Sequence, residues 1–374
     1  MSVASPLPLR VLHLMQGVGV GGMEKGVLQQ VRLAREARHN DGLLLFDSPA
    51  GDPSRDYDVA AIPCHFLPRR PGFDWRFVVR LRQYLQQRSP RILHAHNDTA
   101  LCYAALALWA SAEPSPRLLA TFHNYPAHPT RSSRQLSRWA AARCAAVTAV
   151  SHELAARLRD DHWASAVEVV VNGIDTEQFE PAGPSEDLRA QLGCGDDTLL
   201  VGHIGRFDDN KRQADLVAAV QLIVPTSLDV RLLMVGQGPT QSGVQALSAG
   251  DARISWTPRV ADVAAWLRAL DVFVLCSLHE GISRALLEAM ACARAVVATA
   301  VGGSTRLLAD DRDGACGLLV PSRSPAALAA AIDMLGASPR LRHEMGQRAR
   351  RRVQAFHTAQ ATTNAYEALM APFL

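Results

Sequence analysis

Glu280 and Glu288, with seven residues between them, bracket the segment Glu280-Gly281-Ile282-Ser283-Arg284-Ala285-Leu286-Leu287-Glu288. It follows an apolar run at 272–276, so the pattern predicts a strand, a tight loop at Gly281 and a helix beginning near Ser283. The first N–H groups of that helix, from Ile282 to Ala285, have no partner within the helix and can receive phosphate oxygens. An acid beside an anion site is electrostatically awkward unless it binds something uncharged, such as sugar hydroxyls. A nucleotide sugar combines those parts. A second loop carries Gly205, Arg206 and Lys211 after the run 199–203. There a guanidinium can grip a diphosphate bidentately and an ammonium can serve it as a point charge. A third loop, Val301-Gly302-Gly303-Ser304, is a glycine-rich turn after the run 295–299. By spacing alone, a solvated glutamate at a helix start fits Glu280 as well. Three loops of complementary chemistry, each after a strand where open parallel sheets bind ligands, favour the site.

The N-terminal half offers a different glycine pattern. Gly17, Gly19 and Gly22 form G-x-G-x-x-G, with Gly21 beside the last of them, and Asp47 follows the next strand-like run. Two readings stay open for it: a dinucleotide site with Asp47 on the ribose, or a tight turn before a helix. His94, His96 and His123 follow the third and fourth runs, and ordering of a loop fits His96 at least as well as catalysis.

The elements that must position these residues follow from alternating short apolar runs and longer amphipathic stretches, the signature of β-α units on parallel sheets. Strands are expected at 10–15, 42–46, 92–94, 117–121, 146–150 and 167–171, then at 199–203, 231–235, 253–256, 272–276, 295–299 and 317–320. That is an α/β chain of two doubly wound, Rossmann-like domains. Phe179, Pro181, Gly183 and Pro184 interrupt the pattern, placing one domain at 1–178 and the second at 179–358, with a helix at 359–374 expected to pack back on the first. A length of 374 residues with 48% hydrophobic residues suits two cores and excludes a disordered or fibrous chain. The net charge of +3 lacks the field of a dedicated nucleic-acid binder. Of the 39 basic residues only Lys25 and Lys211 are lysines, which draws attention to both. Seven cysteines without a C-x-x-C pair read as small buried residues in a reducing compartment. The N-terminal residues lack a secretory pattern, and the longest uncharged apolar window, 99–112, is too short to span a bilayer.

Together, Gly205-Arg206, Lys211, Glu280-x7-Glu288, Val301-Gly302-Gly303 and Val171-Asn172-Gly173-Ile174-Asp175 resemble the GT-B retaining glycosyltransferases of family four. The resemblance covers nearly the whole chain and is most specific over 199–320. It implies two Rossmann-like domains facing across a cleft that narrows when nucleotide binds. It implies that Arg206 and Lys211 hold the donor diphosphate, Glu280 the sugar hydroxyls and Glu288 the ribose. The backbone of Gly281, Ile282 and Ser283 would close around phosphate and sugar, Gly302 and Gly303 would turn toward them, and Arg259 would meet the nucleobase. In the first half Gly21 and Gly22 match the family's Gly-Gly loop, and His123 its histidine beside the reacting sugar. No metal or cofactor is implied beyond a UDP- or GDP-sugar co-substrate; the acceptor would be a growing glycan, lipid-linked, in polysaccharide assembly. Ser283, followed by Arg284, stands where many relatives carry a glycine or proline, which bears on the sugar accepted; an exposed helix-start position is expected for Arg284. Two other classes fit parts of the chain: an NAD(P)-dependent enzyme using Gly17, Gly19 and Gly22, and a catalytically silent scaffold of the same fold. Seven arginines (Arg69, Arg70, Arg76, Arg80, Arg82, Arg88, Arg91) interleave with Phe73, Trp75, Phe77 and Tyr84. They suit either a cytoplasmic enzyme held at the inner membrane surface or a solvated helix with Trp75 and Phe77 both turned into the core.

Overall fold

The computed structural model describes residues 9–17, 21–47, 62–109, 115–126, 130–181, 186–224, 228–258, 260–309 and 314–374. They form two compact units, Met1–Asn172 with Ala359–Leu374, and Gly173–Thr358.

The first unit is built on seven parallel strands: β1 (Val11–Met15), β2 (Gly42–Leu45), β3 (Cys64–Phe66), β4 (Ile92–Ala95), β5 (Arg117–Phe122), β6 (Ala146–Ala149) and β7 (Glu168–Val169). Their order is β3-β2-β1-β4-β5-β6-β7, so the winding reverses between β1 and β4. All five residues of β1 are buried, as expected of a strand covered by helices on both faces. Its register places His13 opposite His94 of β4. Strand β3, a half-exposed edge of three residues, has no counterpart among the runs expected from sequence, being too short and too polar to form one. The helix Trp75–Arg88 begins where the Asp74 carboxylate accepts from the N–H groups of Arg76 and Phe77. Residues two apart on a helix face different ways. Phe77 is therefore fully buried while Trp75 is 62% exposed, which corrects the expectation that both enter the core. The helix Ala359–Met370 completes this unit: Tyr366 and Met370 are buried with Val11, Ile92 and Leu119.

The second unit holds β8 (Leu199–Ile204), β9 (Val230–Val235), β10 (Ile254–Thr257), β11 (Val272–Leu275), β12 (Ala295–Thr299) and β13 (Leu318–Val320), in the order β10-β9-β8-β11-β12-β13, all parallel. Alternating side chains feed two cores. Leu200, Phe273 and Val296 join the helix Arg284–Ala291 on one face, while Val201, Val274 and Val297 meet Leu216 on the other. The helices Pro325–Gly336 and Pro339–Phe356 each start with a serine cap, Ser324 or Ser338, followed by proline at the first turn.

The chain divides between Asn172 and Gly173, earlier than the break in sequence pattern. The reason is packing: Ile174 and Phe179 are buried in a core of the second unit, and the Ile174 N–H donates to the His357 carbonyl at 2.9 Å. Among the described residues no helix is long and apolar enough to cross a membrane. The seven cysteines are all free thiols, with Cys276, Cys292 and Cys316 buried.

Candidate functional site

Strands β8 and β11 are neighbours where the second sheet reverses its winding, so their following loops meet at their carboxyl ends. The β8 loop is anchored by Phe207, which is fully buried, and by Lys211 N–H bonds to the Asp208 carbonyl and carboxylate. Arg212 closes the loop with a left-handed backbone, φ 52°, and a two-point pair to Asp215. Asn210 stitches the two loops together. Its side-chain amide donates to the His279 carbonyl at 2.9 Å, its side-chain oxygen accepts from the His279 N–H at 3.0 Å, and its backbone carbonyl accepts from Leu278.

The stitching brings the Lys211 ammonium directly against the Glu280 carboxylate. Ser277 donates its hydroxyl to the same Glu280 oxygen at 2.6 Å. The Glu280 carboxylate thus has a cation as its direct neighbour. The glycine turn after β12 seals this arrangement from behind. Gly302 has φ 49°, and a Cβ there would lie 1.8 Å from the Glu280 carbonyl oxygen; at Gly303 it would lie 2.3 Å from that of Gly281. Only residues without a side chain permit that approach, and the Gly303 N–H uses it to donate to the Gly281 carbonyl at 2.8 Å.

Ser283 caps the helix Arg284–Ala291, and Glu288 on that helix is buried. Arg284 is not exposed, contrary to expectation. Its side chain is only 9% accessible, lies 4.0 Å from the Glu288 carboxylate and donates to the Gly173 carbonyl at 2.7 Å. Burial weakens the guanidinium's hold on its proton, and the Glu288 carboxylate partly restores it. Arg206 stands apart: its side chain is 69% exposed and 3.9 Å from Asp208, while its carbonyl is held by the Gln213 amide at 2.7 Å. Gly205 backs onto His203, and Arg259 lies outside the described residues. Buried Gly281 and half-buried Ile282 complete the loop.

Sequence reasoning passed over Asn210, Ser277, Gly236 and Gly238. A Cβ on Gly236 would stand 2.0 Å from the Gly205 carbonyl oxygen, and one on Gly238 equally close to that of Phe207. The Gly-x-Gly after β9 was the available signal.

In the first unit, Gly21 caps the helix Gly22–Glu36, and Lys25 donates its N–H back to the Gly21 carbonyl. Gly17 packs on the Asp47 backbone, Gly19 lies outside the described residues, and Asp47 itself is held by Arg69 at 2.6 and 3.0 Å. An acid so engaged is poorly placed to hold a ribose, which counts against the dinucleotide reading. His123, half-buried after β5, stands 3.4 Å from His96.

Two doubly wound parallel sheets, with the Lys211–Glu280 pair in the loops at the strand ends of the second, make this a protein of the GT-B fold. The chain belongs to the family-four glycosyltransferases: residues 20–178 match the family described as "Glycosyltransferase Family 4" and residues 198–337 that described as "Glycosyl transferases group 1". It is 35% identical to the alpha-maltose-1-phosphate synthase of Mycolicibacterium smegmatis over 55% of this chain and 57% of that protein. It is 27% identical to the N-acetyl-alpha-D-glucosaminyl L-malate synthase of Bacillus anthracis over 80% of this chain and 79% of that one. Most of the curated relatives it matches are matched over only about half their length. In fold it is similar to Anabaena HepE in complex with UDP and glucose, with a TM-score of 0.84 at 21% identity over 97% of this chain and 99% of that one.

Proposed function

We propose that this chain is a retaining glycosyltransferase that moves a hexose-type sugar from a UDP- or GDP-sugar to a growing, lipid-linked glycan in polysaccharide assembly. The observation that carries the reading is the Lys211–Glu280 pair, held at the reversal between β8 and β11 under the Gly302–Gly303 turn. Glu280, already bonded by Ser277, accepts from donor-sugar hydroxyls. Lys211 and Arg206 neutralise the departing diphosphate, so the positive charge for this step comes from side chains and no metal is required. The exposed Arg206 can swing onto the phosphates, and Glu288 receives the ribose. Gly281 to Ser283 offer backbone N–H groups at the helix start. His123 would stand beside the reacting sugar, and Gly21 and Gly22 would border the acceptor. The transition state is oxocarbenium-like, so stabilising the leaving diphosphate is the largest catalytic contribution expected of the protein.

A thermal-shift series with UDP-, GDP- and ADP-sugars, followed by transfer assays with the stabilising donor, tests the proposal. Lys211→Ala should lower kcat by about 10²–10³-fold, with Lys211→Arg recovering only part of the loss because a planar fork replaces a point charge. Tight NAD(H) binding without any nucleotide-sugar response, or transfer untouched in Glu280→Ala, would overturn it.

A further inference from the structure

The first unit contains a group of histidines that the donor chemistry does not use. His13 on β1 and His94 on β4 lie opposite one another, and His96 follows two residues on, facing the same side of the sheet. All three are at most 1% exposed. His13 and His96 stack with ring centroids 5.2 Å apart, and His94 and His96 lie 4.1 Å apart. One ring nitrogen from each falls within 4.8 Å of the other two.

Their hydrogen bonding is incomplete. His13 Nδ1 meets His96 Nε2 at 2.9 Å, and His94 Nε2 meets the Thr121 hydroxyl at 2.7 Å. His13 Nε2 and His94 Nδ1 are buried with no hydrogen-bond partner among the described residues. Buried imidazole nitrogens are ordinarily satisfied, so two such atoms in one cluster need a reason. The Thr121 hydroxyl also meets Thr148 at 2.7 Å and Tyr366 at 3.2 Å. That chain holds the His94 ring by its Nε2, as the outer hydrogen bond of a metal-ligating histidine does, and leaves Nδ1 as its other nitrogen.

We propose that His13, His94 and His96 form a binding site for a divalent transition-metal ion of the zinc class, with His94 ligating through Nδ1 and a fourth position left open. Three neutral imidazoles suit Zn²⁺, Co²⁺ or Ni²⁺, at metal–nitrogen distances of about 2.0–2.1 Å for zinc. All three rings are buried together, and a metal ion takes up the lone pair of a neutral imidazole. The ion would tie β1 to β4 at the reversal of the first sheet. It would also fix His96, whose Nδ1 faces His123 at 3.4 Å, making occupancy a means of setting the His123 ring.

The test is titration of the metal-stripped full chain with Co²⁺, followed in the visible, with Zn²⁺ in competition. One equivalent giving the absorption of a low-symmetry four-coordinate site, displaced by Zn²⁺ and raising Tm, is expected. His94→Gln and His13→Gln should each lose the signal, while exposed His343→Gln should keep it. The wild-type spectrum decides the matter even where a core variant folds poorly. Absence of a stoichiometric cobalt spectrum in the wild type, or a spectrum unchanged in folded His94→Gln, would mean a purely hydrogen-bonded cluster or adventitious surface binding and would overturn the proposal.

Discussion

His203, at the end of β8 ahead of the loop that carries Lys211, is fully buried between the Val274 carbonyl, 2.9 Å from Nδ1, and the Gln213 amide. Burial pushes its pKa down to about 4, against the opposing bond to Val274, and Lys211 adds to the lowering. Above pH 6.5 the folded and unfolded chains both hold this imidazole neutral. Between pH 6.5 and 4 the unfolded chain takes up a proton that the folded chain refuses, so stability falls as pH falls. At about 1.4 kcal/mol per pKa unit the loss approaches ~3 kcal/mol at the acid end. Denaturant unfolding at pH 7 and pH 5 should show a steep decline that becomes shallower in His203→Gln; equal slopes would contradict the argument. Such environments were illegible beforehand because they depend on partners far along the chain. Lys211 and Glu280 were legible as candidates because each stands in a short loop after an apolar run, and the structure brings the two side chains together. The burial of Arg284 could not, since its partner Gly173 lies 111 residues away.

Elements were more legible than their faces. Long apolar runs announced the central strands of both sheets, because strands covered on both sides need little but hydrophobicity. The amphipathic helix Trp75–Arg88 was equally visible, yet which aromatic residues point outward depended on its cap at Asp74 and on Tyr103, whose hydroxyl receives the Asp74 N–H at 2.8 Å. The result is an outward face of Phe73, Trp75 and Val79, at 67%, 62% and 43% exposure, flanked by exposed Arg70 and Arg76. The Arg76 guanidinium lies 5.9 Å from the Trp75 ring centre. Aromatic rings that enter the headgroup region beside arginines suit an anionic bilayer, each basic residue contributing ~1 kcal/mol. Flotation with phosphatidylglycerol-containing vesicles should carry the full chain upward. Neutral vesicles should carry much less, and Trp75→Ala combined with Arg76→Ala should release it without changing Tm by more than a degree or two. Equal recovery on both vesicle types would argue against this face.

The path of the whole chain has consequences that neither unit has alone. After the second unit ends at Thr358, the chain returns to the first unit as the helix Ala359–Met370. Arg10 is held there between Asp41 and Glu367, Thr362 donates its hydroxyl to the Val171 carbonyl at 2.9 Å, and Tyr366 closes the hydrogen-bond chain through Thr121. The helix was legible as a segment left over once the second sheet was complete. Its energetic ownership is the structural finding. Burial of Tyr366 and Met370 contributes a few kcal/mol to the first unit, at about 1.5–3 kcal/mol for a large apolar side chain, and nothing to the second unit's cores. Ending the chain after Thr358 should therefore lower the melting transition of the first unit selectively. A nucleotide bound by the second unit at 100 times its Kd should still raise that unit's transition by the equivalent of ~2.7 kcal/mol. Calorimetry of the full and shortened chains, each with and without UDP, checks both halves of the statement. Selective loss of the UDP-responsive transition on truncation would show that the returning helix stabilises the second unit instead.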